Sequence, residues 1–160
     1  MTADPLRQTL TEVLRGGQAH VGLETALAGL RPEWRTHRPP GLHSIWQLTE
    51  HIRLTQHDIV RYTLEASWRS PPWPDGYWPE NYSDLSEAAW QVTLKGYHRD
   101  LQDLLALVQD PQRDLVTELP HRREHTYLRQ ILLAAEHTAY HTGQIVSLRR
   151  ALGDWPPQRL

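Results

Sequence analysis

The sequence contains no cysteine and no phenylalanine among its 160 residues. Without cysteine, the chain can form neither disulfides nor thiolate metal sites, and it offers no cysteine nucleophile. Any metal chemistry must therefore use histidine, carboxylate or water, and any reacting thiol must arrive as a substrate. The aromatic residues are instead seven tryptophans and six tyrosines, and we expect several tryptophans to lie half-buried with the indole N–H facing a polar partner.

The chain also lacks a strong net charge and a long apolar run. A net charge of -2 and a pI near 6.5 argue against nonspecific binding to nucleic acid. No apolar run approaches the length of a bilayer span, and the N-terminal MTADPLRQTL has no apolar signal-peptide core. We therefore expect a cytoplasmic protein without a membrane partner, and the length predicts a single domain over residues 1–160.

Apolar residues at helical spacing predict four long amphipathic helices, and no segment shows the alternation typical of a strand. The predicted helices run from Pro5 to Leu30, from His43 to Trp68, from Ser83 or Asp84 to Pro111, and from Thr126 to Leu152. Asp4 and Ser44 are expected to cap the first two helices, and Gly153 to terminate the last. This pattern predicts an all-α fold, a four-helix bundle with long connections.

Two histidines in the last predicted helix form a candidate metal-binding pair. His137 and His141 are four residues apart, so both side chains project from one face, one turn apart, and Gln144 continues that face. A helix fixes the separation of such a pair before a metal arrives. The alternative for these two residues is a hydrogen-bonded pair between helices. His51, beside the apolar stripe of the second helix, could supply a third imidazole.

The other histidines have weaker surroundings. His121 and His125 repeat the four-residue spacing, but they follow a proline and lack an apolar flank, so we interpret them as part of a polar loop. His20 falls on the core-facing side of the first predicted helix, and the favoured interpretation is a buried histidine held by Glu24. The alternative is that His20 faces the same pocket as the pair on the last helix.

His43 and His57 fall away from the apolar stripe of their helix and are expected to face solvent or to cap. Residues 69–83, RSPPWPDGYWPENYS, contain four prolines and cannot form a regular helix or central strand. Their four large rings should be buried near the mouth of the metal cleft or against a second subunit; these are Trp73, Tyr77, Trp78 and Tyr82. The alternative is a loop packed on its own side chains.

Three stretches occur in an order that resembles the DinB-like (DinB/YfiT) superfamily over most of the chain: HSIWQLTEHIRLTQHDI, then GYWP, then LLAAEHTAYHTGQIVSLRRALG. The resemblance implies a four-helix bundle, often dimeric, with a divalent metal on one histidine of the second helix and an HxxxH pair of the last. By motif these ligands are His51, His137 and His141. Characterised relatives include transferases and isomerases that use low-molecular-weight thiols, and others are suggested to be metal-dependent hydrolases. The resemblance therefore implies a homodimer and a small-molecule substrate, but not the reaction.

Three neutral imidazoles would leave a divalent ion with its full charge and an open position, which can activate water or a thiol or polarise a carbonyl. Zinc, nickel, iron and copper all suit such ligands. Gln144 is a candidate for orienting bound water or substrate, with an interhelical hydrogen bond as the alternative.

Three hypotheses about function follow from this site. The first is a metal-dependent enzyme that transfers a small thiol or hydrolyses a small substrate. The second is a non-catalytic stress-response or binding module with a structural metal, which a fourth ligand from His20 or Glu24 would favour. The third is a metal-free bundle that acts through its aromatic loop.

Overall fold

The computed structural model describes residues 4–80 and 84–155 and shows an all-α fold with one short hairpin. The elements in chain order are α1 (Pro5–Arg15), α2 (Leu23–Leu27), α3 (Pro32–Arg35), α4 (Ile45–Leu64), α5 (Glu87–Gln109), β1 (Glu118–Leu119), β2 (Arg122–Thr126) and α6 (Tyr127–Ala151). A 3-10 turn, Asp75–Tyr77, lies in the connection between α4 and α5. Helix α4 packs against α5 and α6, and α1 packs against the same two helices. This arrangement confirms the predicted four-helix bundle.

The long helices begin at side chains that satisfy their free N–H groups. The Ser44 hydroxyl accepts a hydrogen bond from the Gln47 backbone, while the Gln47 side chain accepts one from the Ser44 backbone, so α4 begins with a capping box. Thr126 caps α6. Helix α5 is capped by Ser86, so the prediction that Asp84 or Ser83 caps this helix is wrong for Asp84, while Ser83 lies outside the described residues.

The first helix is shorter than predicted. It ends at Arg15 because Gly16 and Gly17 have φ angles of 69° and 84°, in the left-handed region that glycine alone adopts without strain. The prediction of one helix from Pro5 to Leu30 is therefore wrong. The prediction that His20 faces the core is also wrong. Because α1 ends before it, His20 lies exposed in the connection between α1 and α2.

A hairpin that was not predicted leads into the last helix. Glu118 pairs with Thr126 and Leu119 with Arg122, in antiparallel register. The strand β2 reads RREHT, which has no apolar residue and so carries no alternation signal. The hairpin is anchored by Leu119, whose side chain is fully buried.

The hydrophobic core lies between the four helices of the bundle, α1, α4, α5 and α6. Much of it consists of buried aliphatic side chains from α4, α5 and α6. Among the most completely buried of these are Ile45, Ile52, Leu104, Ile131 and Ile145. Their packing holds α4 against α6 and so sets the distance between His51 and the pair on α6. None of the helices in the described part of the chain is long and apolar enough to cross a membrane.

Candidate metal site

Three histidines meet where α4 packs against α6. One ring nitrogen from each of His51, His137 and His141 lies within 4.8 Å of the other two. The Nε2 atoms of His51 and His137 are 3.0 Å apart. The three ring centroids are separated by 4.5 to 4.8 Å. The residues selected from the sequence as a candidate ligand set are thus the ones that the structure brings together.

The remaining nitrogen of two of these rings is held by the protein. His51 Nδ1 is 2.7 Å from the backbone carbonyl oxygen of Tyr77. A carbonyl oxygen only accepts, so Nδ1 carries the proton and Nε2 carries the lone pair. His141 Nδ1 is 2.9 Å from Gln144 Oε1 and takes the same tautomer. Such contacts fix the ring orientation of metal-binding histidines. Among the residues that the structure describes, Gln144 therefore bonds within its own helix and not to another helix.

The indole of Trp78 forms one wall of the site. It stacks on the His51 ring with centroids 3.8 Å apart and planes 2° apart, and on the His43 ring at 3.9 Å and 13°. Two imidazoles at these distances would overlap if both lay on the same face of the indole. Trp78 therefore lies between His43 and His51. It shields His51, which is only 3% exposed. His43 is half-buried in this stack and Ser44 caps the helix, so the expectation that His43 faces solvent or caps is wrong.

Asp58 fastens the aromatic loop to α4. Its carboxylate accepts a hydrogen bond from the Tyr77 hydroxyl at 2.8 Å and another from Trp68 Nε1 at 2.7 Å. Burial and this contact raise the pKa of Tyr77 to about 12. Because the Tyr77 carbonyl holds His51 and Trp78 is the next residue, Asp58 positions both contacts of His51. No role was predicted for Asp58, although its position two turns after His51 on α4 was the available signal.

The prediction for the four large rings of the loop holds in part. Tyr77 is 7% exposed, and Trp78 is half-buried against the site, as predicted. Trp73 is 78% exposed within one chain, so it is not buried at the cleft mouth. Its burial against a second subunit stays a prediction. Tyr82 lies outside the described residues.

Burial lowers the pKa of all three site histidines. The pKa of His51 falls to about 4 and that of His137 to about 3, chiefly through burial, with the neighbouring imidazoles acting in the same direction. Burial also lowers the pKa of His141, while its contact with Gln144 opposes the change. The rings are therefore neutral at pH 7, which is the form that binds a metal cation.

This donor set fits a divalent ion. With zinc–nitrogen distances of 2.0–2.1 Å and tetrahedral geometry, ligand nitrogens lie about 3.3 Å apart, which falls between the 3.0 Å contact and the 4.8 Å limit seen here. Among the described residues, no fourth histidine or carboxylate joins the group. His20 Nδ1 instead contacts the carbonyl oxygen of Val21 at 2.9 Å, and Glu24 lies 3.5 Å from His98.

Histidines outside the site have partners of their own. His57 Nδ1 is 2.9 Å from the carboxylate of Asp100, which is fully buried, so His57 connects α4 to α5 and the expectation that it faces solvent or caps a helix is wrong. His121 Nε2 is 3.0 Å from the Tyr62 carbonyl oxygen. His125 Nδ1 is 3.0 Å from the Tyr62 hydroxyl. The segment interpreted as a polar loop is the hairpin, and it rests on Tyr62.

The fold and the site together define a class: an all-α bundle with a candidate three-histidine metal site between two of its long helices. The family model of the DinB superfamily matches residues 18–145, which is most of the chain. The chain belongs to the DinB superfamily. Searches of curated proteins and of solved structures found no match.

Proposed function

We propose that this protein binds one divalent metal ion, zinc, nickel, iron or copper, through His51, His137 and His141. In this proposal it uses the ion to transfer a small thiol or to hydrolyse a small substrate. The supporting observation is that three neutral imidazoles converge on one point, His51 and His141 buried and His137 half-buried, while Tyr77 and Gln144 hold the outer nitrogens of two of them. A bound ion would supply a Lewis acid with an open coordination position.

The residues of the chain bind, orient and exclude water in this proposal. His51 approaches from α4 and the pair from α6, so the packing of the two helices sets the spacing of the ligands. Trp78 and Tyr77 close one side of the site. Because the chain has no cysteine, the thiol of a transfer reaction is a substrate and not part of the protein.

The alternative is a non-catalytic stress-response or binding module with a structural metal. Structural zinc sites usually have four protein ligands, and the positions of His20 and Glu24 give no support to a fourth. The 3.0 Å contact between His51 and His137 also has the length of a hydrogen bond. A metal-free bundle is therefore the third candidate, and metal analysis decides between it and the other two.

The first experiment measures the metal content of the purified protein and of a His51→Ala variant. We expect about one ion per chain in the parent, because a single three-histidine group is present in the described residues, and almost none in the variant. His98→Ala, which changes a half-exposed histidine of α5, is the matched control. A parent that binds none of the four metals would disprove the proposal.

The second experiment screens thiol conjugation and ester or amide hydrolysis with and without a chelator. Turnover that the chelator abolishes, and that His51→Ala lacks, would support an enzyme. Metal binding without turnover on any substrate would favour the binding module.

We further propose that the chain folds as one domain and pairs as a homodimer. The support is membership of a superfamily whose members are often dimeric, together with the Trp73 indole, which is 78% exposed in one chain. Sedimentation analysis of the parent and of Trp73→Ala tests this. A parent that sediments as a monomer at every concentration would refute the dimer.

A further inference from the structure

A cleft of about 570 Å³ lies beside the candidate metal site. It is formed by the second half of α6, by α4 and by the connection that precedes α4. Leu42, Leu48, Leu148 and the Tyr140 ring supply apolar walls, and Gln144 and Ser147 supply polar groups. This volume is within the range of pockets that bind small molecules, roughly 300–1,000 Å³.

Two residues connect the cleft to the site. Gln144 lines the cleft and its Oε1 holds Nδ1 of His141. His43 lines the cleft and stacks on Trp78, whose opposite face stacks on His51. A molecule in the cleft would thus contact side chains that touch candidate ligands.

The lining predicts the chemistry of the occupant. Among the residues that the structure describes, none with a carboxylate, ammonium or guanidinium group lines the cleft. A charged ligand would lose hydration there without gaining a partner. The rim carries Leu42 and Tyr140, which are 52% and 65% exposed. These large apolar side chains would lose contact with water when an apolar molecule enters.

We propose that this cleft binds the uncharged, apolar part of the substrate while the polar reacting group of the same molecule reaches the metal site. The substrate is then a small molecule with an alkyl or aryl body, and a polar thiol co-substrate would not occupy this cleft. This inference rests on the proposed function, because it places the reacting group at the three histidines.

Gly143 offers a way to fill the cleft. It is exposed on α6, and a Cβ atom added there would meet nothing within 4 Å. Gly143→Leu should fold at least as well as the parent, because leucine is a better helix former than glycine. Ser147→Leu is a second variant that fills the cleft. Glu136→Leu, exposed on α6 but outside the cleft, is the matched control.

The first test uses metal-free protein and the uncharged fluorescent probe N-phenyl-1-naphthylamine. We expect 1-alkanols from butanol to decanol to displace the probe, with affinity rising about fourfold per methylene until the cleft is full. Alkylammonium ions and alkanoates of equal length should compete at least about tenfold more weakly. Gly143→Leu and Ser147→Leu should weaken probe binding, and Glu136→Leu should not. Equal binding by parent and both cleft variants would overturn the proposal.

The second test links the cleft to the metal. Zinc-loaded protein is titrated with hydroxamates from acetohydroxamate to octanohydroxamate. Tighter binding of longer tails, lost in Gly143→Leu while acetohydroxamate binds as before, supports the proposal. Affinity independent of tail length would show that the cleft does not serve the metal site. If the parent binds no metal but still binds alkanols, the proposed function fails, whereas the apolar binding site itself stands.

Discussion

Two pairs of histidines in this chain have the same spacing and different surroundings. His137 and His141 lie on α6, where one helical turn brings their ring centroids to 4.5 Å. His121 and His125 lie at the hairpin, where an extended backbone separates residues four apart by about 13 Å. The same HxxxH pattern can thus bring two nitrogens to one ion only where the backbone is helical.

The neighbours of each pair increase this difference. The pair on α6 faces a third imidazole, His51, from another helix. The pair on the hairpin faces Tyr62, whose carbonyl and hydroxyl occupy one nitrogen of each ring. The two pairs should therefore respond differently when their residues, or the residues that support them, are replaced.

Removing the pair on α6 should have the largest effect. We expect His137→Ala/His141→Ala to lose its metal and the stabilisation that metal gives, about 2.7 kcal/mol at a free metal concentration one hundred times the Kd. The double variant His121→Ala/His125→Ala should keep both its metal and the stabilisation that the metal gives. Metal analysis and thermal unfolding with added metal test this. Equal metal loss in the two double variants would contradict the proposed site.

Acid should release the metal and destabilise the metal-free fold. The folded-state pKa of His51 is about 4 and that of His137 about 3, against an ordinary value of 6.5. Between these values the unfolded chain binds more protons than the folded chain, so the free energy of unfolding falls as pH drops below 6.5. Above 6.5 these rings are neutral in both states and contribute no slope.

The measurement is urea unfolding of metal-free protein across this pH range, with metal retention followed in parallel. We expect the metal to be retained as pH falls below 6.5 and released only in more acidic solution, because burial holds the pKa values of the site histidines below their ordinary value. The pH slope of stability should decrease in His137→Ala, which removes one depressed pKa. An unchanged slope in that variant would show that His137 is not the group that titrates.

Removing the Trp78 indole, which lies beside the histidine pair of α6, should have the next largest effect. Trp78→Ala removes a half-buried ring that stacks on two imidazoles, and should cost about 2–3 kcal/mol, below the 3–5 kcal/mol of a fully buried ring. Trp73→Ala removes an exposed ring and should cost less than about 0.5 kcal/mol in a monomer. Denaturant unfolding at low protein concentration measures both. Equal losses would mean that Trp78 has no special role in supporting the site.

A smaller effect is expected from the residue behind His141. Gln144→Leu removes the acceptor for Nδ1 and should weaken metal affinity about 10–100-fold, because the ring loses the contact that fixes its orientation. Gln102→Leu, at an exposed position of α5, is the control. Calorimetric metal titration measures both. If Gln144→Leu binds metal with unchanged affinity, Gln144 does not support His141 as a ligand and only lines the cleft.

Removing the hydroxyl of Tyr77 or of Tyr62 should have the smallest effects. Tyr77→Phe leaves the carboxylate of Asp58 without one of its two donors and should lower stability by about 1–2 kcal/mol. The backbone carbonyl that holds His51 is retained, so metal should still bind. Tyr62→Phe, under the hairpin pair, should cost about 1 kcal/mol or less and leave metal affinity unchanged. Loss of metal in Tyr62→Phe would contradict the separation of the two pairs.

The bundle helices could be predicted where periodicity and caps agree. Ser44 and Gly153 marked the start of α4 and the end of α6 because both act locally, Ser44 through its hydroxyl and Gly153 through its positive φ angle. The end of α1 could not be located, since two glycines inside an apolar pattern can continue a helix or turn the chain. Only the φ angles of Gly16 and Gly17 show that the chain turns there and the helix ends. The hairpin has no sequence signal because its register depends on the bundle beneath it.

The candidate site could be predicted at its three histidines but not at their supports. The face of α6 and the stripe of α4 directed His137, His141 and His51 to one place. The contacts made by Trp78 and Asp58 depend on the path of a proline-rich loop, which no periodic pattern describes. Long-range pairing through irregular backbone is therefore the part that sequence patterns miss.

The position of Trp78 between His43 and His51 gives the protein an optical signal. An indole stacked on the imidazole of a proposed metal ligand is close enough for a bound open-shell ion to quench its emission, whereas zinc has a filled d shell and absorbs no visible light. Nickel, copper or iron would dim the tryptophan fluorescence on binding, and zinc would leave it bright. The emission lost in Trp78→Phe would identify the fluorophore among the seven tryptophans.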